Sequence, residues 1–122
     1  MLFLRPYTYI YSVKIIGHIK RKPETYGLKS LRMHGKAPYA VAVIHGGPGA
    51  PGEMEPVARE LSGYHGTLEP LQGAASIEGQ LQELKAVLIA HASLPVTLIG
   101  HSWGAWLSLM FAARNPSFVK KN

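Results

Sequence analysis

The sequence predicts an α/β protein, a mostly parallel sheet with an N-terminal antiparallel hairpin, in the order β-β-β-α-β-α-β-α. Three observations predict it. Residues 39–44 and 96–99 are short, nearly unbroken apolar runs, the pattern of strands covered on both faces. Residues 54–61 and 77–91 carry apolar side chains at helical spacing between such runs. Strand and helix therefore alternate, and alternation implies a parallel sheet joined by right-handed crossovers.

Each element has its own justification. Residues 1–12 are aromatic-rich, alternate only over Tyr7 to Tyr11, and read as a leader or an irregular first strand. Residues 13–19 read as a short strand with Val13, Ile15 and Ile19 toward a core, and a turn follows at Arg21, Lys22, Pro23 and Glu24. Residues 27–34 alternate well enough for a second strand, which pairs antiparallel with the first, and Gly35 to Pro38 make a turn. The strand at 39–44 runs into a loop, 45–52, with four glycines and two prolines, so its backbone can approach a ligand closely. Met54, Val57, Ala58 and Leu61 recur at i, i+3, i+4 and i+7, one apolar face of a short helix that ends at Ser62 and Gly63.

Residues 66–71 form a weaker strand. Ser76 is a suitable N-cap with Glu78 in the first turn, and Ile77, Leu81, Leu84, Leu88 and His91 then line one helix face to about Ala92, His91 being a half-buried residue at the helix end. Pro95 separates this helix from the strand at 96–99. The last helix, 103–114, is apolar on most sides, which predicts burial on nearly all of them, and Asn115-Pro116 ends it.

Composition excludes several functions. The chain has 122 residues, 47% of them hydrophobic, 13 glycines and 9 prolines, enough for one domain with a modest core. Cysteine is absent, which removes disulfides and thiolate metal sites. No apolar run approaches the roughly 18 residues that span a bilayer, and the apolar start at residues 1–4 is too short for a signal peptide, so the expected compartment is the cytoplasm, with no membrane partner. The net charge of +6 is concentrated at Lys20 to Lys22 and Lys120 to Lys121, a solvated turn and a tail rather than the broad basic face of a nucleic-acid binder. No close His-x-x-His or His-x-x-x-His pair suggests a metal. The loop at 46–52 lacks the lysine and Ser/Thr of a phosphate loop, so no cofactor is expected.

The chemistry concentrates at residues 96–104. The apolar run ends in Gly100-His101-Ser102-Trp103-Gly104 and a helix begins at once. A serine on such a strand–turn–helix bend holds its hydroxyl out of the sheet, and the tight backbone requires small neighbours, here Gly100 and Gly104. The amide of Trp103, at the helix start, can point at a developing oxyanion. The five residues alone also fit an ordinary glycine-rich turn. A second motif weighs against that reading: His45-Gly46-Gly47-Pro48-Gly49 follows the strand at 39–44 and can supply the second amide donor.

The two motifs together resemble the α/β-hydrolase family. The pairing of His-Gly-Gly-Pro-Gly with Gly-x-Ser-Trp-Gly is similar, more narrowly, to the proline iminopeptidase branch. The resemblance implies serine catalysis on a small ester, amide or short peptide, an N-terminal proline peptide bond being the sharpest form. It implies Ser102 as nucleophile, with Gly47 and Trp103 as oxyanion amides and Gly46 as the alternative to Gly47. His45, Pro48, Gly49, Gly100 and Gly104 would then shape the two motifs. It further implies that the strand at 39–44 lies between those at 66–71 and 96–99. The resemblance covers residues 13–119, the N-terminal part of such a domain, with 120–122 a tail.

A serine hydroxyl needs a base, and the base an orienting acid. In the resembled family both follow the nucleophile in the chain. After Ser102 this sequence has no histidine, aspartate or glutamate, and the chain contains no aspartate at all. His101 adjoins the serine but is expected to leave the bend in another direction; His45 is expected to be structural; His18, His34 and His65 have no evident route to the site. The expectation is the front half of a serine hydrolase, inactive alone: a fragment or truncated product, a chain completed by another, or a shortened homologue acting in binding or partner interaction. Without later strands, the strand at 96–99 is expected at or near a sheet edge, with the apolar last helix short of a partner, which predicts self-association.

Overall fold

The computed structural model describes residues 2–4, 10–12, 31–47 and 51–120. The strand expected at 13–19 lies outside them, as do residues 27–30 of the next. In chain order the elements are β1 (Leu2–Leu4), β2 (Ile10–Ser12), β3 (Leu31–His34), β4 (Tyr39–Ile44), α1 (Glu55–Leu61), β5 (Gly66–Pro70), α2 (Ile77–His91), β6 (Thr97–Gly100) and α3 (Trp103–Arg114), followed by a 3-10 turn at Pro116–Phe118.

The described strands form a six-stranded mixed sheet in the order β2-β1-β6-β4-β5-β3. Its centre is parallel: β4 runs alongside β5 on one side and β6 on the other, with Ala42 opposite Leu68 and Leu98 respectively. The strand at 39–44 thus lies between the two later ones. The flanks are antiparallel, β3 against β5 with Met33 opposite Leu68, and β1 against β6 with Phe3 opposite Ile99.

The unbroken apolar run of β4 has a direct explanation. Val41 and Val43 face α1 and pack with Met54, Ala58 and Ile99. Ala42 and Ile44 face α2 and α3 and pack with Leu68, Leu84, Leu88, Leu98, Leu107 and Phe111. Alternate residues of one strand thus enter two cores, one on each face of the sheet. Each fully buried Leu, Ile or Phe contributes about 1.5–3 kcal/mol relative to exposure.

Local signals set the helices. Pro56 stands in the first turn of α1, where its missing N–H costs nothing, and Glu55 complements the helix N-terminus. Ser76 caps α2, its side chain accepting from the Gly79 amide at 3.0 Å. Leu81, Leu84 and Leu88 are buried along α2, whereas Ile77 and His91, expected on the same face, are its first and last residues and are exposed.

Two further expectations are corrected. The last helix is not buried nearly all round: Gly104, Ala105, Leu107, Ser108, Phe111 and Ala112 are buried, but Trp106 is 64% exposed, since α2 and the sheet cover only one side. Nor is β6 a free edge. β1 pairs with its C-terminal end, and residues 118–120 pair with the preceding residue, Val96 donating to Phe118 O and accepting from the Lys120 amide, both at 2.8 Å. The outer strands of the sheet are β2 and β3. Among the described residues, no helix is long and apolar enough to cross a membrane.

Candidate functional site

Ser102 occupies the bend between β6 and α3 with φ 52° and ψ −119°. Among the described residues it is the one non-glycine at positive φ, a conformation that costs on the order of 1–3 kcal/mol and persists only where the surroundings enforce it. Here they do. A Cβ on Gly104 would overlap the carbonyl oxygen of Ile44 and come within 2.5 Å of that of His45, and one on Gly100 would come within 2.5 Å of the Gly104 carbonyl. These two glycines let the start of α3 sit directly on the end of β4. The His101 amide continues the ladder by donating to Ile44 O at 3.2 Å, and Gly104 and Ala105 donate to His101 O and Ser102 O.

This packing brings the two motifs together. A Cβ on buried Gly46 would lie 3.2 Å from the Ser102 Cβ and 3.0 Å from the His101 carbonyl oxygen. Gly47 adopts φ 38° and faces open space at its Cα. Pro48 and Gly49 lie outside the described residues. Ser102 is exposed, and its side chain makes no capping hydrogen bond to α3. Trp103 is the first residue of α3, so its amide belongs to the first turn, whose N–H groups have no partner within the helix.

His45 is buried and held at both ring nitrogens. The Gln72 amide donates to Nε2 at 2.9 Å, which requires Nε2 unprotonated, so Nδ1 carries the proton and donates to Gly46 O at 2.9 Å. Gln72 Nε2 also donates to His45 O. The imidazole thus fixes the root of the glycine loop and has no lone pair to offer Ser102. On the other side, the Trp103 indole donates to Gln80 Oε1 at 2.7 Å, and Gln80 Nε2 donates to Ala74 O, tying the start of α3 to α2.

Glu53 was not singled out by any sequence pattern. It stands two residues before α1, and its carboxylate meets His101 Nδ1, beside Ser102. Glu53 Oε1 also lies 3.0 Å from the Gly46 Cβ position. A lone loop glutamate carries no periodicity that could have flagged it.

A second polar cluster, also missed, lies on the α1 face of β5 and β3. Glu69 is fully buried, Oε1 is 2.9 Å from His34 Nε2, and Oε2 has no hydrogen-bond partner among the described residues. Burial raises its pKa above the ordinary 4.5, partly opposed by the His34 hydrogen bond and the nearby Arg32 charge. Arg32 pairs with Glu55 at 2.7 Å, and Glu55 also pairs with Arg59. A carboxylate inside a strand, with a histidine in the strand beside it, was the available signal. β4 lies between β5 and β6, the strand that leads to Ser102, and so separates this cluster from the serine.

A mostly apolar cavity of about 270 Å³ opens between α2 and the C-terminal ends of β4 and β5, lined by Ile44, Leu71, Gln72, Gln80, Leu84 and Leu107 among others. It does not reach Ser102, but two of its wall residues, Gln72 and Gln80, are those that hold His45 and Trp103. Among the described residues, no group of three or more His, Cys, Asp or Glu side chains is placed to hold a metal ion.

No protein-family model matches the chain, and no curated protein matches it. Among solved structures it is similar to the crystal structure of the Bacillus megaterium epoxide hydrolase in complex with an inhibitor, with a TM-score of 0.59 and 22% identity over 73% of this chain and 35% of that one. At that identity the likeness shows the fold alone: a partial α/β fold with a mixed, centrally parallel sheet. The chain spans about a third of the length of that structure.

Proposed function

We propose that this chain carries the nucleophile-bearing part of a serine hydrolase. Ser102 Oγ attacks the carbonyl carbon of an ester or amide, an N-terminal proline peptide bond being the sharpest form of substrate. The amides of Trp103 and Gly47, with Gly46 the alternative to Gly47, receive the negative charge that develops on the carbonyl oxygen. The observation that carries this reading is the strained, exposed serine packed directly against Gly46. A positive φ is unfavourable for serine, and the Gly100–Gly104 packing that enforces it, with Gly46 close against the Ser102 Cβ, supports a hydroxyl presented toward loop and first-turn amides. Each such donor, rigidly placed, is worth about 3 kcal/mol in the transition state.

Among the described residues the proton has no evident acceptor. His45 has both ring nitrogens engaged, His101 Nδ1 is bound to Glu53, and no histidine or acid follows Ser102 in the sequence. That observation favours a second reading, a non-catalytic fragment or shortened homologue whose role is binding or partner interaction. Fluorophosphonate labelling separates the two. Labelling of the purified chain at Ser102, abolished by Ser102→Ala, supports an assembled nucleophile and oxyanion hole. Absence of labelling, with no turnover of proline amides or simple esters, supports the inert reading.

A further inference from the structure

We infer that Glu53 and His101 form a clamp that sets the distance between the glycine loop and the serine, which makes Glu53 a positioning residue for the proposed oxyanion hole. The inference rests on the reading of Ser102 as nucleophile for its functional meaning, and on geometry for its existence. The chain between β4 and α1 begins at the C-terminal end of β4, where Ile44 stands opposite Gly100 of the neighbouring β6, so His45 and Gly46 start beside the bend at 101–103. At its first end it is fixed by the His45 ring and by Gln72. At its far end, the Glu53 carboxylate is bound to His101 Nδ1, next to Ser102.

The position of Gly46 shows how close the three parts lie. One point, where a Gly46 Cβ would stand, is 3.0 Å from Glu53 Oε1, 3.0 Å from the His101 carbonyl oxygen and 3.2 Å from Ser102 Cβ, so the carboxylate oxygen and the serine Cβ are no more than about 6 Å apart. Both ends of the loop are therefore tied down beside the serine, one to a β5–α2 loop residue and the other to the bend itself. A pair 24% and 39% exposed is sheltered enough to hold geometry. An oxyanion hole depends on such fixity, because its donors act only when already aimed at the charge. A base role for His101 is a different claim: no hydrogen bond joins it to the Ser102 hydroxyl among the described residues, and its Nδ1 faces the carboxylate.

Amide hydrogen exchange on the full chain tests the clamp without requiring activity. In Glu53→Ala, exchange at the hydrogen-bonded amides of the bend and the loop root, His101, Gly104 and Gln72, is expected to rise about tenfold, the loss of one charge-assisted hydrogen bond. Exchange in β4 and at 107–112 of α3 is expected to stay at the wild-type rate. Glu53→Gln keeps an acceptor for Nδ1–H, and His101→Asn keeps a donor near the Nδ1 position; both are expected to stay close to wild type. Unchanged exchange in Glu53→Ala overturns the clamp, as does a rise spread evenly through the core. If the wild type labels with fluorophosphonate, Glu53→Ala is expected to slow labelling about tenfold, while His101→Asn retains it; loss of labelling in His101→Asn with unchanged exchange overturns the clamp in favour of a base. A wild type that does not label sinks the nucleophile reading alone, and the exchange comparison still decides the clamp.

Discussion

At the scale of single residues, the site is built from what is missing as much as from what is present. Gly104 lacks the Cβ that would overlap the Ile44 carbonyl. An alanine in a helix is ordinarily better than glycine by about 1 kcal/mol. Here the obstruction is backbone, which cannot rotate away, so Gly104→Ala is expected to lower stability by about 2 kcal/mol or more in urea denaturation. A stability equal to or above wild type would show that the start of α3 does not rest directly on the Ile44 carbonyl. Glu69 offers a prediction of opposite sign. A carboxyl whose folded-state pKa is raised binds its proton more tightly when folded. Its contribution is thus fully present below the unfolded value, near 4.5, and is lost as pH rises through the raised folded value. Glu69→Gln removes that titration and relieves the buried charge. The variant is expected to have a higher urea midpoint than wild type at pH 7, with the difference shrinking toward pH 4. An equal difference at both pH values would mean that the carboxyl is not the titrating group.

At the scale of elements, legibility in the sequence follows how completely a segment's own side chains record its burial. β4 was legible because both of its faces enter cores, and the helix at 77–91 because Ser76 and its leucines mark one face and one start. β5 read weakly for a physical reason: it is buried along its whole length yet contains Thr67, whose hydroxyl donates to the His65 carbonyl two residues back, and Glu69, whose polarity is answered by His34 on another strand, a contact that no single-segment pattern contains. The bend at Ser102 was legible because two glycines and a serine at fixed spacing encode it. Glu53 was not, because a partner 48 positions away in sequence gives it its place. The all-round apolar character of α3 misled, since hydrophobicity cannot say how many neighbours a helix has. The two faces of α3 therefore predict unequal costs. Phe111, buried and in edge contact with Phe118 at 5.7 Å between ring centres, is expected to cost about 3–5 kcal/mol on truncation to alanine. Trp106→Glu, on the exposed face, is expected to change stability by no more than about 0.5 kcal/mol. Comparable costs at the two positions, measured by thermal or urea unfolding, would show that Trp106 is covered in solution.

At the scale of the whole molecule, the open question of the sequence was what closes the flank of β6. The answer is two pieces of chain of opposite direction. Residues 118–120 lie parallel beside Val96, and β1 runs antiparallel beside Leu98 to Gly100. The strand that carries the serine bend is thereby paired on both sides, and its N–H and C=O groups are not left as a template for another chain. The arrangement makes the N-terminal hairpin a protective element rather than an appendage. Removing residues 1–12 takes away a short ladder whose hydrogen bonds are worth about 1 kcal/mol each, so the two cores, built on β4, β5, β6 and the three helices, are expected to survive. The exposed side of β6 is then expected to recruit a second copy. Analytical ultracentrifugation over a range of concentrations should show a dimer or larger species in the truncated chain at concentrations where the full chain sediments as a smaller one, and amides at 98–100 should exchange faster on dilution. A truncated chain that sediments like the full one and keeps those amides protected would mean that β1 does not guard this edge, and that some other part of the molecule closes it.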